Sequence, residues 1–297
     1  MNCVVIGDIN IDYVVDLSGV TLSDITNACI QSDIVTSVGG NGTFFSDAAI
    51  EAGFNPVRLL CSLGNDAAAE IAKSHFKDTE IELFNAINSK ETGKVIILYQ
   101  PDDNRIMIAN RGANEYSLEL DMDSTQDVLS SADFLYVSGY ALLHEAQCSA
   151  LQGLLQDYTA KNTFKLLDAV PHEIFHKFSW EEYVCRCQHI DGIVIELATA
   201  VGFMGEDITS IDSDSIADFL LKSFNFCLVR LNSSSDFLIA DRIERRTERL
   251  YYKPKIASLR FTDRITAQII RRYLSNPRVF FASSKWVEEI NKIIGGY

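Results

Sequence analysis

The stretch Gly39-Gly40-Asn41-Gly42 stands directly before a segment with helical character, residues 43–52, and it decides how the fold is interpreted. Consecutive glycines adopt backbone dihedrals that other residues avoid, and they let a ligand come close to the main chain. They also suit a hinge for a closing lid. A structural loop before a helix has the same composition, so the surrounding sequence must discriminate. We expect this stretch at the mouth of a ligand pocket in an α/β domain.

Short apolar runs alternate with helical patterns along the chain. The runs are continuous, which is typical of strands that are covered on both faces. The predicted strands are residues 3–6, 57–61, 134–137, 164–167, 192–195 and 226–231. The predicted helices are residues 43–52, 67–76, 145–160, 214–224 and 262–274. This alternation predicts an α/β fold with a mostly parallel central sheet and helices on both sides.

Two stretches break the alternation, residues 33–38 and 94–110. Both look extended, and the second has a hairpin turn signal at Gln100-Pro101-Asp102-Asp103-Asn104. We therefore predict a small β-strand lid over one end of the sheet, formed by approximately residues 13–18, 33–40 and 94–110. The chain shows no composition break, which favours a single domain over residues 1–297.

The chain is strongly acidic, since 26 Lys and Arg against 41 Asp and Glu give a formal net charge of −15. Such a surface repels phosphate backbones and anionic lipids, so we expect no nucleic acid and no membrane as partners. No apolar run approaches the roughly 20 residues of a membrane helix, and a signal-peptide pattern is missing at Met1. Seven scattered cysteines favour reduced thiols in a cytoplasmic protein.

Polar residues follow the predicted strands at their carboxyl ends, where an open parallel sheet binds ligands. Asn10 and Asp12 alternate with apolar residues after the first strand and therefore share one face. A carboxylate can accept hydrogen bonds from two vicinal hydroxyl groups of a sugar. A plain turn with solvated side chains remains an equal alternative for these two residues alone.

The order of the motifs resembles the ribokinase-like, or PfkB-type, carbohydrate kinase family. The resemblance covers most of the chain, is specific as far as Tyr140, and depends on the order of elements beyond it. The matching segments are Gly7…Asn10…Asp12, Gly39-Gly40-x-Gly42, Leu63-Gly64-Asn65-Asp66, Thr92-Gly93, Arg111-Gly112-Ala113-Asn114 and Ser138-Gly139. It implies a ribokinase-like three-layer sandwich and a sugar or nucleoside ligand.

The resemblance assigns the ligand side of the pocket to the first half of the chain. The implied binding residues are Asn10, Asp12, Gly39, Gly40, Asn41, Phe44 and Ser138. Phe44 departs from the family, which often has an asparagine there that bonds sugar hydroxyls. An aromatic ring removes that polar contact and adds a stacking face.

The family's phosphate-binding segment, Asp-Thr-x-Gly-Ala-Gly-Asp, falls on residues 260–266. Thr266 stands at the position of the catalytic aspartate, and Asp263, Arg264 and Ile265 replace the Gly-Ala-Gly positions. Side chains there obstruct the approach of backbone amides to a phosphate. A threonine hydroxyl cannot accept a proton near neutral pH as a carboxylate does. Asp263, one helical turn before Thr266, is the candidate for a displaced base.

Two further nucleotide-side motifs depart from the family pattern. The Asn-x-x-Glu element falls on the segment from Glu196 to Thr199, and the Thr-x-Gly-x-x-Gly turn on the segment that contains Asn232 and Ser235. Three departures together indicate a pseudokinase that binds a sugar- or nucleoside-like molecule without ordinary ATP-dependent transfer. An active kinase with a displaced base, and a scaffold or regulatory subunit with a vestigial pocket, remain alternatives. Mg-ATP is expected as cofactor only for the active kinase.

Two other features carry secondary predictions. His172-Glu173-Ile174-Phe175-His176 matches the zinc-protease pattern H-E-x-x-H, but a pattern with two free positions occurs by chance, and we predict no metal site. Lid strands of the family pair between subunits in some members, so the resemblance implies a possible homodimer through the lid.

Overall fold

The computed structural model describes residues 1–17, 29–100, 105–115, 120–209, 211–231, 236–249, 261–283 and 285–295. The strands are β1 (Cys3–Ile6), β2 (Asn10–Asp16), β3 (Ile34–Gly39), β4 (Val57–Leu63), β5 (Ile81–Ile87), β6 (Gly93–Tyr99), β7 (Arg105–Asn110), β8 (Phe134–Ser138), β9 (Phe164–Asp168), β10 (Gly192–Glu196), β11 (Phe226–Arg230), β12 (Asp236–Asp241) and β13 (Arg245–Arg249). The helices are α1 (Asn41–Glu51), α2 (Ala67–Lys77), α3 (Met122–Ser130), α4 (Glu145–Asp157), α5 (Trp180–Arg186), α6 (Leu197–Met204), α7 (Ser213–Leu221), α8 (Phe261–Ser275), α9 (Pro277–Ala282) and α10 (Lys285–Gly295).

The larger sheet has, among the described residues, nine strands in the order β13-β12-β11-β10-β9-β8-β1-β4-β5. The strands from β11 to β5 in this order run parallel, whereas β12 and β13 form an antiparallel edge. The prediction of an α/β fold with a mostly parallel sheet is confirmed. Parallel pairing brings the carboxyl ends of β1 and β8 to β11 to one edge of the sheet, where the candidate site lies.

Both faces of the sheet are covered, as the continuous apolar runs predicted. Along β1, Cys3 and Val5 belong to a hydrophobic cluster on one face, while Val4 and Ile6 belong to a second cluster on the other. A strand that alternates between two buried faces has no reason to alternate apolar with polar residues. Burial on both faces therefore accounts for the runs from which the strands were predicted.

The smaller sheet, which we name the lid sheet, has the strand order β3-β2-β6-β7 within the described part of the chain. Asn10 at the start of β2 is opposite Gly39 at the end of β3 and Gly93 at the start of β6, so these three strands meet at one end of the lid sheet. The predicted lid segments 33–40 and 94–110 fall on β3 and on the β6–β7 hairpin, and residues 13–16 of the first segment fall on β2. Ser18 and residues 101–104, including most of the predicted hairpin turn, lie outside the described residues.

Three strands are absent from the sequence-based prediction. β5, β12 and β13 lie at or near the two edges of the larger sheet. The basic stretch that contains Arg245 is typical of a solvated face or turn in sequence, and it forms β13, paired antiparallel with β12. No helix of the described residues is long and apolar enough to cross a membrane.

Candidate functional site

The glycine stretch forms the join between β3 and α1. Gly40 is the N-cap of α1 and has a φ of 95°, a left-handed conformation that favours glycine. A Cβ atom on Gly40 would also overlap the backbone carbonyl of Asp8. A Cβ on Gly42 would lie 2.7 Å from the carbonyl carbon of Gly7. The glycines are therefore required for the close approach of this loop to the chain that leaves β1.

Asn41 connects three chain segments at the strand ends. Its Oδ1 atom accepts a hydrogen bond from the backbone N–H of Asp8 at 3.0 Å. Its Nδ2 atom donates a hydrogen bond to Oγ of Ser138, at the end of β8. The structure thus brings together Asn41 and Ser138, two of the predicted ligand-side residues.

Asp12 is buried and lies against the backbone of Gly39. A Cβ atom on Gly39 would overlap the Asp12 carboxylate, so only glycine leaves room for it. Asn10, two residues earlier on β2, accepts a hydrogen bond at Oδ1 from Nδ2 of Asn114 at 2.9 Å. The predicted residues Asn10, Asp12 and Gly39 therefore converge at the base of the lid sheet, beside Gly40.

An ion pair missing from the sequence-based site lies beside these residues. Nη2 of Arg111 donates to Oδ2 of Asp8 at 3.0 Å, and the guanidinium lies 4.7 Å above the ring of Tyr140. Burial raises the pKa of Asp8, and the charge of Arg111 acts in the opposite direction. Arg111 stands in a quoted motif and Asp8 lies within the segment from Gly7 to Asp12, but the sequence alone gives neither a role, because their pairing joins residues about a hundred positions apart.

The other half of the strand-end edge is organised around Arg230. The guanidinium, only 5% exposed, lies 3.4 Å from Oδ2 of Asp168 and 3.2 Å from Oε1 of Glu196. Its Nη2 also donates to Oγ1 of Thr266 at 3.3 Å, and Tyr136 donates from its hydroxyl to Asp168 at 3.0 Å. Burial disfavours the charged form of Arg230 and so lowers its pKa. The nearby carboxylates, Asp168 first, together have the larger effect and raise the pKa above its usual range.

Asp263 lies in the same buried neighbourhood, in the first turn of α8. Burial raises the pKa of its carboxyl to about 7; Asp168 adds to the increase and Arg230 opposes it. Thr266 follows one helical turn later and is fully buried. We call Arg230, Asp168, Glu196, Asp263, Thr266 and Tyr136 the Arg230 cluster. Sequence reasoning missed Arg230, although a charged residue at the end of an apolar strand was a visible signal.

The remaining nucleotide-side residues are not brought together. Glu196 joins the Arg230 cluster, but the hydroxyl of Thr199 donates to the carbonyl of His172 at 2.6 Å instead. Arg264 pairs with Glu51 of α1 at 2.5 Å. Asn232 and Ser235 lie outside the described residues. Phe44 is half-buried on α1, and it is the neighbouring Phe45 that stacks on Tyr136, with ring centroids 3.7 Å apart.

The H-E-x-x-H segment does not form the helix that a zinc site needs. Its last three residues form a single 3-10 turn, Ile174–His176. Across the described ranges, no group of three or more His, Cys, Asp or Glu side chains is arranged to hold a metal ion.

The comparisons with known proteins agree with this architecture. A model of the pfkB family of carbohydrate kinases matches residues 1–177. Ribokinase from Giardia lamblia is 15% identical with a TM-score of 0.76, covering 99% of this chain and 93% of its own. Adenosine kinase from Sinorhizobium meliloti is 15% identical with a TM-score of 0.73, covering 93% and 88%. Ribokinase from Thermotoga maritima is 16% identical with a TM-score of 0.67, covering 98% and 99%.

These structural similarities show the fold and confirm the ribokinase-like assignment. A comparison with curated proteins found no significant match to this chain. The family model spans more than half of the chain, and the matched range contains every predicted ligand-side residue, from Asn10 to Ser138. The chain therefore belongs to the pfkB family of carbohydrate kinases.

Proposed function

We propose that this protein binds a sugar- or nucleoside-like polyol between the lid sheet and Asp12 and does not transfer phosphate from ATP. The observation that carries the proposal is the position of Arg230. Its guanidinium is held by Asp168 and Glu196 and donates to Thr266, the residue at the family's catalytic position. The polyol side of the pocket is retained, whereas the phosphate side is filled by the protein's own side chains.

Phosphoryl transfer needs a carboxylate at the acceptor hydroxyl, exposed N–H groups at a helix N-terminus and a cation beside the phosphates. At the start of α8, Thr266 and Ile265 are both fully buried. The carboxylates of Asp168 and Glu196, which resemble ligands for a divalent cation, already pair with Arg230. These residues do not fit Mg-ATP, and this misfit supports a pseudokinase.

The ligand side supports polyol binding. The Asp12 carboxylate, the amides of Asn10 and Asn41 and the hydroxyl of Ser138 provide acceptors and donors of the kind that sugar hydroxyls need. Gly39 and Gly40 bring the main chain close to the same place. In this assignment Phe44 supplies an apolar face in place of the family's asparagine, which favours a ligand with a flat or apolar part.

A thermal-shift titration tests the proposal. D-Ribose, D-fructose and adenosine are titrated separately, with and without Mg-ATP, against wild type and Asp12→Ala. We expect at least one polyol to raise the melting temperature of wild type but not of Asp12→Ala, and Mg-ATP to have no effect. Asp16→Ala is the matched control, because Asp16 is an exposed residue on the same strand. Stabilisation by Mg-ATP together with phosphate transfer to a polyol would refute the pseudokinase assignment.

The active-kinase alternative has one observation in its favour, the Asp263 pKa of about 7. A general base functions best when its pKa lies near the working pH. Asp263 is nevertheless buried, and its charge interacts with those of Asp168 and Arg230. This alternative requires turnover in wild type that Asp263→Asn abolishes. The vestigial-pocket alternative requires no ligand-dependent stabilisation and a protein that copurifies with the chain.

In this proposal the protein is cytoplasmic and each chain forms a single domain. Two copies pair through the lid sheet as a homodimer. Exposed apolar side chains on one face of this sheet support the assignment: Ile34, Ile96, Ile106 and Ile108. An apolar surface of this kind is typical of a protein–protein interface. Sedimentation velocity of wild type and Ile108→Lys tests it, with a dimer expected for wild type and a monomer for the variant. A monomeric wild type would contradict the proposal.

A further inference from the structure

A small cavity is lined in part by Asp8 and Ser138, the two residues that bond to Asn41. It opens at the carboxyl ends of β1, β4 and β8 and has a volume of about 10 Å³, which is room for a single water-sized group. Its polar lining consists of Asp8, Ser62, Asn114, Ser138 and Gln147. None of these residues belongs to the Arg230 cluster.

Unpartnered polar atoms are concentrated at this cavity. In the described part of the chain, seven buried side-chain nitrogen or oxygen atoms have no hydrogen-bond partner within the protein. Two are Oγ of Ser62 and Oε1 of Gln147, both in the cavity wall. Two more belong to Arg111, which pairs with the cavity residue Asp8 and donates to the carbonyl of Asn114 at 3.3 Å.

The residues that bear these atoms are deeply buried and fixed in place. Ser62 lies near the end of β4, and Gln147 lies in the first turn of α4, where its Nε2 donates to the carbonyl of Asn114 at 3.2 Å. A buried polar atom without a partner is strongly unfavourable, so native proteins normally supply one. A cavity of this size with two to four polar partners is suited to one bound oxygen atom.

The donors and acceptors define the chemistry of that atom. Oε1 of Gln147 accepts a hydrogen bond but cannot donate, while the hydroxyl of Ser62 can do both. The bound group must therefore donate to Gln147 and can accept from Ser62. A hydroxyl group meets both requirements, whereas a carboxylate or phosphate oxygen cannot donate and a methyl group can do neither.

We propose that this cavity is an inner subsite that takes one hydroxyl group, supplied by the bound polyol or, in the free protein, by a water molecule. The inference rests on the proposed function for the identity of the ligand. Ser62 and Gln147 then determine specificity: they select a polyol with a hydroxyl directed toward β4.

The free protein gives the first test, by comparison of Ser62→Ala with Tyr183→Phe. Both variants remove a buried hydroxyl without a protein partner, but Tyr183 packs against Trp180 and Phe203, away from the cavity. We expect Ser62→Ala to lower the melting temperature by about 2–4 °C, because it removes a partner of the bound water. Tyr183→Phe is expected to leave the melting temperature unchanged or to raise it. If Ser62→Ala behaves as Tyr183→Phe does, the cavity is dry and the proposal is overturned.

Ligand affinity gives the second test, with D-ribose and adenosine as the probes. We expect Ser62→Ala to raise the dissociation constant of the polyol that binds by about tenfold, and Tyr183→Phe to leave it unchanged. Binding that Asp12→Ala abolishes but Ser62→Ala does not weaken would overturn the inner subsite and leave the proposed function intact. A failure of Asp12→Ala to affect binding would count against the proposed function, and the melting-temperature comparison would still decide the subsite.

Discussion

The two halves of the strand-end edge use their polar residues differently. On the side of β1, β2 and β8, polar side chains such as Asn41 and Asn10 bond to neighbouring loops, and two cavity residues, Ser62 and Gln147, keep atoms without a protein partner. On the side of β9 to β11, the carboxylates bond to an arginine of the same protein. Within the described residues, one half keeps oxygen atoms without a partner, whereas the acidic side chains of the other half pair with Arg230.

The two halves are adjacent in space, so a large separation between them does not explain why their polar residues have different partners. Ser138 at the end of β8 is directly opposite Asp168 at the end of β9. Ser138 bonds to Asn41 of the ligand side, whereas Asp168 pairs with Arg230. The boundary between the two halves therefore lies between the neighbouring strands β8 and β9. Each half can be changed by substitution while the other serves as the reference.

The largest effect is expected from Arg230→Met. The substitution leaves the buried carboxylate of Asp168 and the partly buried one of Glu196 without their cation, and breaking a buried pair in this way costs about 3–5 kcal/mol. Urea unfolding at pH 7 measures the loss. Arg264→Met is the control, since its pair with Glu51 is partly exposed and should contribute less than about 1 kcal/mol. Equal losses in the two variants would show that the Arg230 cluster is not a structural element.

The next largest effect is the pH dependence that Asp263 confers. Its pKa is about 7 in the folded protein, against an ordinary value of 3.8, so the folded state binds more protons than the unfolded state between these pH values. The contribution of Asp263 to the free energy of unfolding therefore falls as pH rises through this window and levels off above pH 7. Asp263→Asn removes this dependence and should be more stable than wild type at pH 8, by about 4 kcal/mol.

Unfolding free energies measured at several values between pH 4 and pH 8 check the Asp263 prediction. Asp212→Asn is the control, because hydrogen bonds from Ser215 lower the pKa of this helix-capping residue. That variant should retain the decline that Asp263 causes. A gain for Asp263→Asn that is equal at pH 4 and pH 8 would contradict the assignment.

A smaller effect compares two glycines with positive φ. Gly40, with a φ of 95°, faces the backbone carbonyl of Asp8, whereas Gly53, with a φ of 83°, has no atom within 4 Å of the position that a Cβ would occupy. Both substitutions to alanine carry the strain of a left-handed residue, about 1 kcal/mol. Gly40→Ala should lose about 2 kcal/mol more than Gly53→Ala in urea unfolding, because the Asp8 backbone must move. Equal losses would mean that the backbone of Asp8 can move away from residue 40 without a cost in stability, which would contradict the account of the glycine loop.

The sequence predicted the parallel core of the fold well. Strands buried on both faces leave uninterrupted apolar runs, and six of these runs fall on β1, β4, β8, β9, β10 and β11. The edge strands left no such signal. β13, for example, consists of Arg, Thr and Glu residues that pair with β12 without facing a core on both sides.

The candidate site was predictable only in part. Asn10, Asp12 and the glycines lie in short motifs, and the structure places them together as the motif order indicated. Arg230, Asp168 and Asp263 come from three separate elements, and only the folded sheet shows that their charges meet. The cavity residue Gln147 had no sequence signal at all, since a glutamine in the first turn of a helix is ordinarily exposed.

The central claim is that the protein's own side chains close the phosphate side of the pocket. The most direct test is equilibrium dialysis of radiolabelled ATP with Mg²⁺ against the wild-type protein at pH 7. The account predicts no bound nucleotide up to about 1 mM ATP, the upper end of usual KM values. Saturable binding of one ATP per chain within that range would contradict it.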